Sequence, residues 1–289
     1  MLESMKRGAN PFQKFVSTYA KLFLAGKRLP PPALLKSSRK QISRNPPCAL
    51  IFSPHPDDEC IIGGLALRLL READWKIVNV AVTLGSDRQR RSARLKELKN
   101  ACRFLSFDLI VAGLEKVNLE TRKRNSLLWK KFVRNIAAIL MEQKPRVIFV
   151  PHETDVHAAH VGTHFLALDA LKTLPKNFRC FVVETEFWGQ IANPNLLVES
   201  GEKDVGDLVA ALSLHGGEVR RNPYHVRLPA WMMDNVRRGA EQVGEKGGLA
   251  PDFTFGTLYQ MRKRQNGKVR EIGGRTFLSA EENTSKLFD

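Results

Sequence analysis

Ala49-Leu50-Ile51-Phe52-Ser53 runs straight into Pro54-His55-Pro56-Asp57-Asp58-Glu59, and the fold turns on how that junction is read. A short apolar run without alternation suits a strand buried on both faces. Two prolines and three acids cannot extend such a strand, so the chain is expected to turn there into a helix. The same grammar recurs downstream. Strands are predicted at residues 49–53, 77–83, 109–112, 147–150 and 180–183, and helices at 62–71, 92–105, 126–143 and 160–174 between them. Strand–helix alternation at this spacing gives parallel βαβ units, hence an α/β, doubly wound, mainly parallel, Rossmann-like sheet with helices on both faces. From Glu184 onward the pattern weakens into polar loops with one helix near residues 202–214.

In such a sheet ligands bind beyond the carboxyl ends of the strands, so the residues just after each strand carry the functional reading. The first strand is followed by His55, Asp57, Asp58 and Glu59, and the fourth by His152, Glu153, Asp155, His157 and His160. Carboxylates and imidazoles beside a core are costly unless a cation or partners compensate them. Two loops bringing His and Asp to one crevice make a metal site. A catalytic zinc takes three protein ligands and leaves one position for water. His55 and Asp58, three apart across a tight turn, can chelate together, and His160 at the start of the next helix can complete the set. Asp57 then lies beside the metal, where a carboxylate can take a proton from bound water. Taken singly, Asp57 or Asp58 could instead be a helix N-cap, and His157 or His160 an ordinary surface imidazole.

The 289 residues suffice for one sizeable core, with domain limits expected at 1–47 for a basic arm and linker and 48–289 for the α/β body. No secretory leader and no run of 18 apolar residues is present, so the enzyme body is expected in the cytoplasm. Cys48, Cys60, Cys102 and Cys180 form no CxxC pair and are expected reduced and buried. The formal charge of +16 is unevenly spread: residues 1–45 hold ten Lys or Arg against Glu3 alone, a surplus of nine. Within that arm Phe12, Phe15, Val16, Tyr19, Ala20 and Phe23 share one helical face, with Asn10 as N-cap, Pro11 at the first position and Gly26 at the end. Such a basic amphipathic helix fits an anionic membrane surface, or else docks on the domain's own core. Pro30 to Pro47 reads as a linker.

Pro54-His55-Pro56-Asp57-Asp58-Glu59 after a strand resembles the signature of the LmbE-like or PIG-L de-N-acetylases. Gly63-Gly64, Arg94-Leu95-Lys96-Glu97-Leu98 and Glu186-Phe187-Trp188 fit the same family, and the likeness covers about Cys48 to Trp188. The resemblance implies a zinc-dependent hydrolase that removes the N-acetyl group of an N-acetylglucosamine-type substrate. By resemblance His55, Asp58 and His160 ligate one Zn²⁺, Asp57 is the general base, and His157 stabilises the oxyanion or protonates the leaving amine. Arg94 by resemblance contacts substrate; as a helix residue paired to nearby acids it would have only a structural role. The family's second loop usually reads H-x-D-H, whereas this chain has His157-Ala158-Ala159-His160. Ala159 thus removes an acid expected to orient an imidazole, and Asp155 is the neighbour able to compensate. That loss sustains an alternative, a catalytically impaired sugar- or polyanion-binding protein on the same fold. The run Arg88, Gln89, Arg90, Arg91, Arg94 is either a solvated helix start or an anion site for a lipid- or phosphate-linked sugar. Nucleic-acid binding has only the overall charge in its favour.

Overall fold

A computed structural model describes residues 10–33, 45–244 and 246–288. A first helix, α1 (Pro11–Gly26), precedes β1 (Cys48–Ser53), the short α2 (Asp58–Ile61), α3 (Leu65–Ala73) and β2 (Lys76–Ala81). Next come α4 (Arg91–Leu105), β3 (Asp108–Val111), α5 (Leu119–Arg124), α6 (Ser126–Gln143), β4 (Val147–Pro151), α7 (Ala158–Thr173) and β5 (Cys180–Thr185). The remainder comprises β6 (Leu196–Glu199), α8 (Glu202–Ser213), α9 (Gly216–Val219), α10 (Leu228–Gln242), β7 (Gly256–Gln265), β8 (Lys268–Glu271) and β9 (Thr276–Leu278).

The strands form one sheet in the order β3-β2-β1-β4-β5-β7-β6-β9, with β8 paired to β7. β1 to β5 are mutually parallel, as the alternation of strands and helices requires. Every residue of β1 is buried because both faces are covered. Ala49 and Ile51 join a core with Leu65, Leu98, Leu208 and Met232 from α3, α4, α8 and α10. Leu50 and Phe52 join the opposite core, built with Phe132 of α6 and Leu166 of α7. Stacking helices on both faces leaves only the carboxyl edge of the parallel strands for side chains that must meet a ligand.

Beyond Glu184 the expectation of polar loops is corrected. β7 runs antiparallel to β5, and β6, β8, β9 and α10 complete an extension of the sheet. The strand was hidden because its sequence, Gly-Thr-Leu-Tyr-Gln-Met-Arg-Lys-Arg-Gln, carries charge where a core strand is expected to be apolar. Arg264 is 1% exposed, yet its guanidinium donates to the carbonyls of Leu174, Pro175 and Phe178, which discharges the cost of burial. Arg68, equally buried, is satisfied by Glu72 and by the carbonyls of Glu199, Ser279 and Glu282.

α1 has the limits predicted from its caps, and the Asn10 side chain accepts from the Phe12 N–H. Docking of its apolar stripe on the domain core is corrected: Phe12, Phe15, Val16 and Tyr19 are exposed. Only the carboxyl end meets the body, where Phe23 lies under the Arg227 guanidinium, 4.7 Å from it. Residues 34–44 of the expected linker lie outside the described residues. The four cysteines are free and buried.

Candidate metal centre and cleft

The turn after β1 is fixed from three directions. The Asp58 N–H donates to the His55 carbonyl and the Cys60 N–H to that of Asp57, so the loop closes within one helical turn. Asp57 adopts φ 119°, a conformation a non-glycine residue rarely takes, and its N–H donates to Glu59 Oε2 at 3.0 Å. Glu59 Oε1 in turn accepts from His215 Nε2 at 2.7 Å, and both side chains are wholly buried. Glu59, Cys60 and His215 bring ligand-type atoms together beneath the turn. The short Glu59–His215 bond anchors α2 to the loop before α9, and Glu59, working against burial, raises the pKa of that imidazole. Gly63, at φ +85°, ends the turn where a Cβ would lie 2.3 Å from Thr257 Oγ1 and 2.5 Å from the Tyr259 hydroxyl. That hydroxyl donates to the Ile62 carbonyl, so β7 braces the motif from behind.

Above this turn His55 Nδ1, Asp58 Oδ2 and His160 Nε2 form a near-equilateral triangle. Its edges are 3.3 Å between the imidazoles, 3.4 Å from His55 to Asp58 and 3.5 Å from His160 to Asp58. Tetrahedral zinc with bonds of about 2.0–2.1 Å sets its ligand atoms about 3.4 Å apart, so the three residues fit such an ion. The His55 N–H fixes the Asp58 carboxylate by donating to Oδ2 at 2.7 Å. Burial works against ionising Asp58, yet His160 and His55 hold its carboxyl below the ordinary range. His157 also offers a nitrogen within 4.8 Å of those of His55 and His160. Asp58 completes the tighter set, and His157 is engaged otherwise: it is the N-cap of α7, its Nδ1 accepting from the Ala159 N–H at 3.3 Å. The capping role that the sequence left open for Asp57 or Asp58 is not filled at α2, where Asp57 holds the cap position without a side-chain cap bond. Burial, then His55 and His160, keep the His157 ring neutral by lowering its pKa.

Asp155 lies where the altered second loop needs an acid. Its Oδ2 faces His160 Nδ1 at 3.6 Å and accepts from the Trp188 and Gly189 N–H groups at 3.2 and 3.3 Å. Oδ1 accepts from the His157 N–H at 2.8 Å. Burial opposes ionisation of Asp155, but these donors carry its pKa down to about 2. The carboxylate thus faces the ring of His160 and ties the second loop to the end of β5.

Asp57 stands beside the triangle with Oδ2 accepting from the Tyr224 hydroxyl at 2.5 Å and 3.8 Å from Arg94 Nη2. Burial and the neighbouring Asp58 push its pKa up to about 7 against the pull of His215, Arg94 and Tyr224. Arg94 is half-buried in the cleft wall. Its Nη2 donates to the Pro56 carbonyl at 2.9 Å and its Nε lies 3.7 Å from Glu218. It packs so closely on Gly85, at φ +90°, that a Cβ there would lie 2.4 Å from Nη1.

The cleft in front of the triangle encloses about 800 Å³. Away from the His/Asp end it is lined by Arg88, Arg90, Arg91, Arg94, Lys116 and Arg221 against three carboxylates, Asp87, Glu115 and Glu218. Arg88 and Arg91 share Glu115; Arg90 and Arg221 share Glu218. Each Arg–Glu–Arg trio keeps a surplus positive charge facing the cleft. Sequence reasoning missed Tyr224, Glu218, Arg221 and His215. Their one signal is structural: the 3₁₀ turn Tyr224–Arg227 and the short α9 fold back over the first loop. Glu186 of the Glu186-Phe187-Trp188 run forms a buried ion pair with Arg238, whereas Phe187 and the His160 ring meet edge to face, as do Trp188 and Tyr224.

Residues 50–171 match the family model described as PIG-L, GlcNAc-PI de-N-acetylase. The probable N-acetyl-alpha-D-glucosaminyl L-malate deacetylase 2 of Bacillus cereus is 29% identical over 144 residues, 45% of this chain. The match spans 63% of that relative's length, a little under two thirds. Among solved structures, N,N'-diacetylchitobiose deacetylase from Pyrococcus horikoshii covers 91% of this chain and 96% of its own at TM-score 0.56 and 16% identity. The 4-carboxy-2-hydroxymuconate hydratase GalB of Pseudomonas putida KT2440 aligns with 74% of this chain and 95% of its own at TM-score 0.56 and 15% identity. These two show the shared fold and no more. Both site loops lie inside the matched segment, so the likeness to the PIG-L, LmbE-like family covers residues 50 to 171.

Proposed function

We propose that the chain removes the N-acetyl group from an N-acetylglucosamine-type sugar bearing an anionic substituent, releasing acetate and a free amine, with one divalent ion held by His55, Asp58 and His160. The observation that carries this reading is the 3.3–3.5 Å triangle of ligand atoms with a non-ligating aspartate at its side. Two imidazoles and a carboxylate are a zinc-type donor set. Bound there, the ion would polarise the amide carbonyl and acidify a water.

The chain's own groups do the rest. Asp57, fixed by its backbone and by the Tyr224 hydroxyl, accepts a proton from the attacking water and returns it to the nitrogen as the C–N bond breaks. His157 accepts at Nδ1 from the Ala159 N–H, so the neutral ring carries its proton on Nε2 and can donate it to the carbonyl oxygen as negative charge develops. Asp155 at His160 Nδ1 leaves the Nε2 lone pair of that ring for the ion. The surplus cations of the cleft support an anionic substituent, and the Bacillus cereus relative is named for a malate conjugate, itself anionic.

Acetate release from neutral and anionic N-acetylglucosamine conjugates, measured with zinc-loaded protein, tests the reading. Asp57→Asn should keep its metal and lose about 10²–10⁴-fold in turnover. Loss of the metal in that variant would make Asp57 a ligand, and sugar binding without acetate release by the wild type would favour the binding-protein alternative.

A further inference from the structure

The catalytic cleft leaves α1 unexplained. Phe12, Phe15, Val16, Tyr19 and Leu22 are 45–70% exposed on a helix none of whose residues is buried. At 100° per residue these five side chains, with Phe23, fall within one stripe, while Lys14 and Lys21 stand on the opposite face. Lys27 and Arg28 follow directly, and the helix holds no acid. No described helix is long and apolar enough to cross a membrane.

We infer that α1 is a docking helix for an anionic lipid surface. A wide aromatic and aliphatic stripe backed by lysines is the composition of a helix that lies in the plane of a lipid–water boundary. There the stripe enters the acyl edge and the cations meet lipid phosphates. A second copy of the chain fits less well, since pairing two stripes would bring together two arms that each carry a surplus of nine positive charges. The charge complement of this surface is an anionic one.

Where the helix is tethered gives the docking a consequence. The carboxyl end of α1 rests on the 3₁₀ turn Tyr224–Arg227: a Cβ at Gly26 would lie 3.1 Å from Val226, and Arg227 covers Phe23. The same turn supplies Tyr224, whose hydroxyl holds Asp57 and whose ring meets Trp188, half exposed on the lip of the cleft. A lipid surface under α1 therefore lies next to the cleft mouth, within reach of a substrate carried on lipid. The docking itself stands whichever acyl group the cleft removes.

The test is co-sedimentation of the full chain with phosphatidylcholine vesicles containing roughly one third phosphatidylserine, and with pure phosphatidylcholine vesicles. The protein should pellet with the anionic vesicles, and less so as salt shortens the Debye length from about 10 Å at 0.1 M to about 3 Å at 1 M. The double variant Phe15→Glu/Tyr19→Glu should bind at least about tenfold more weakly, with an unchanged melting temperature because both side chains are already in solvent. Lys14→Glu/Lys21→Glu should lose the preference for anionic vesicles. Equal pelleting of wild type and Phe15→Glu/Tyr19→Glu, or no pelleting of the wild type, would overturn the inference. So would a melting temperature several degrees lower in that variant, or a wild-type dimer that the substitutions dissolve.

Discussion

Asp155→Asn separates a loop that still orients its metal ligand from one disabled by Ala159. The carboxylate satisfies the N–H groups of His157, Trp188 and Gly189 and faces His160 Nδ1, and none of its atoms reaches solvent. A carboxamide has one oxygen. If that oxygen stays with the His157 N–H at 2.8 Å, the new NH₂ confronts two backbone donors and the Nδ1–H of His160. Hydrogen bonds to a charged group contribute about 1.5–3 kcal/mol each, and local relaxation returns part of the loss, so the fold should lose about 3 kcal/mol. That corresponds to a melting temperature lower by roughly 6–12 °C in a chain of this size. With the ring of His160 free to turn, zinc affinity should fall about 10–100-fold, read by competition with a chromogenic chelator. Ala159→Asp, which restores the family's usual acid, should change affinity less than about threefold, because Asp155 already serves the ligand. Wild-type zinc affinity in Asp155→Asn, or a large gain in Ala159→Asp, would refute the assignment of Asp155 as the orienting acid.

Two further predictions concern stability. Glu184 lies 3.3 Å from Arg262, but burial dominates and raises its pKa from 4.5 to about 7. A raised carboxyl favours the folded state in its neutral form. Its contribution is full below the unfolded value and is lost as pH rises to about 7, a swing of about 3 kcal/mol. Glu184→Gln should flatten the pH dependence of urea unfolding across that window, and an unchanged slope would show that Arg262 already neutralises the group. Gly63→Ala should cost more than about 2 kcal/mol, since the residue needs a positive φ and its Cβ would meet Thr257 and the Tyr259 hydroxyl; a melting temperature within a degree of wild type would contradict the close packing of β7 on the motif.

The parallel core and the His55–Asp58–His160 triangle were legible because most of each is written locally. A continuous apolar run followed by Pro54-His55-Pro56-Asp57-Asp58 states a buried strand, its end and a chelating pair within one short segment, and the topology rule for open sheets carries the second loop to it. The run of arginines after β2 was legible as a choice between a solvated helix start and an anion site. The structure turns its guanidiniums toward the cleft, but in pairs on shared carboxylates, one of which, Glu218, comes from a segment the sequence left unassigned.

The groups that could not be read are those whose meaning lies in a distant partner. His215 sits where no motif marks it and matters because its ring bonds Glu59, 156 residues earlier, in the core. Tyr224 stands in a proline-flanked turn without helical or strand period, and its role exists only because that turn folds over Asp57. β7 was hidden by the opposite effect: its arginines describe a surface segment until backbone carbonyls from the end of α7 are found around Arg264. All three devices act on the metal loop. Glu59 fixes the Asp57 backbone, Tyr224 fixes its carboxylate, and Tyr259 on β7 fixes the turn that follows. The proposed ligands thus all lie before residue 161, while the rigidity that would let Asp57 act beside them rather than on them comes largely from residues beyond 214. His215→Ala should therefore disturb the Asp57 loop without removing a metal ligand.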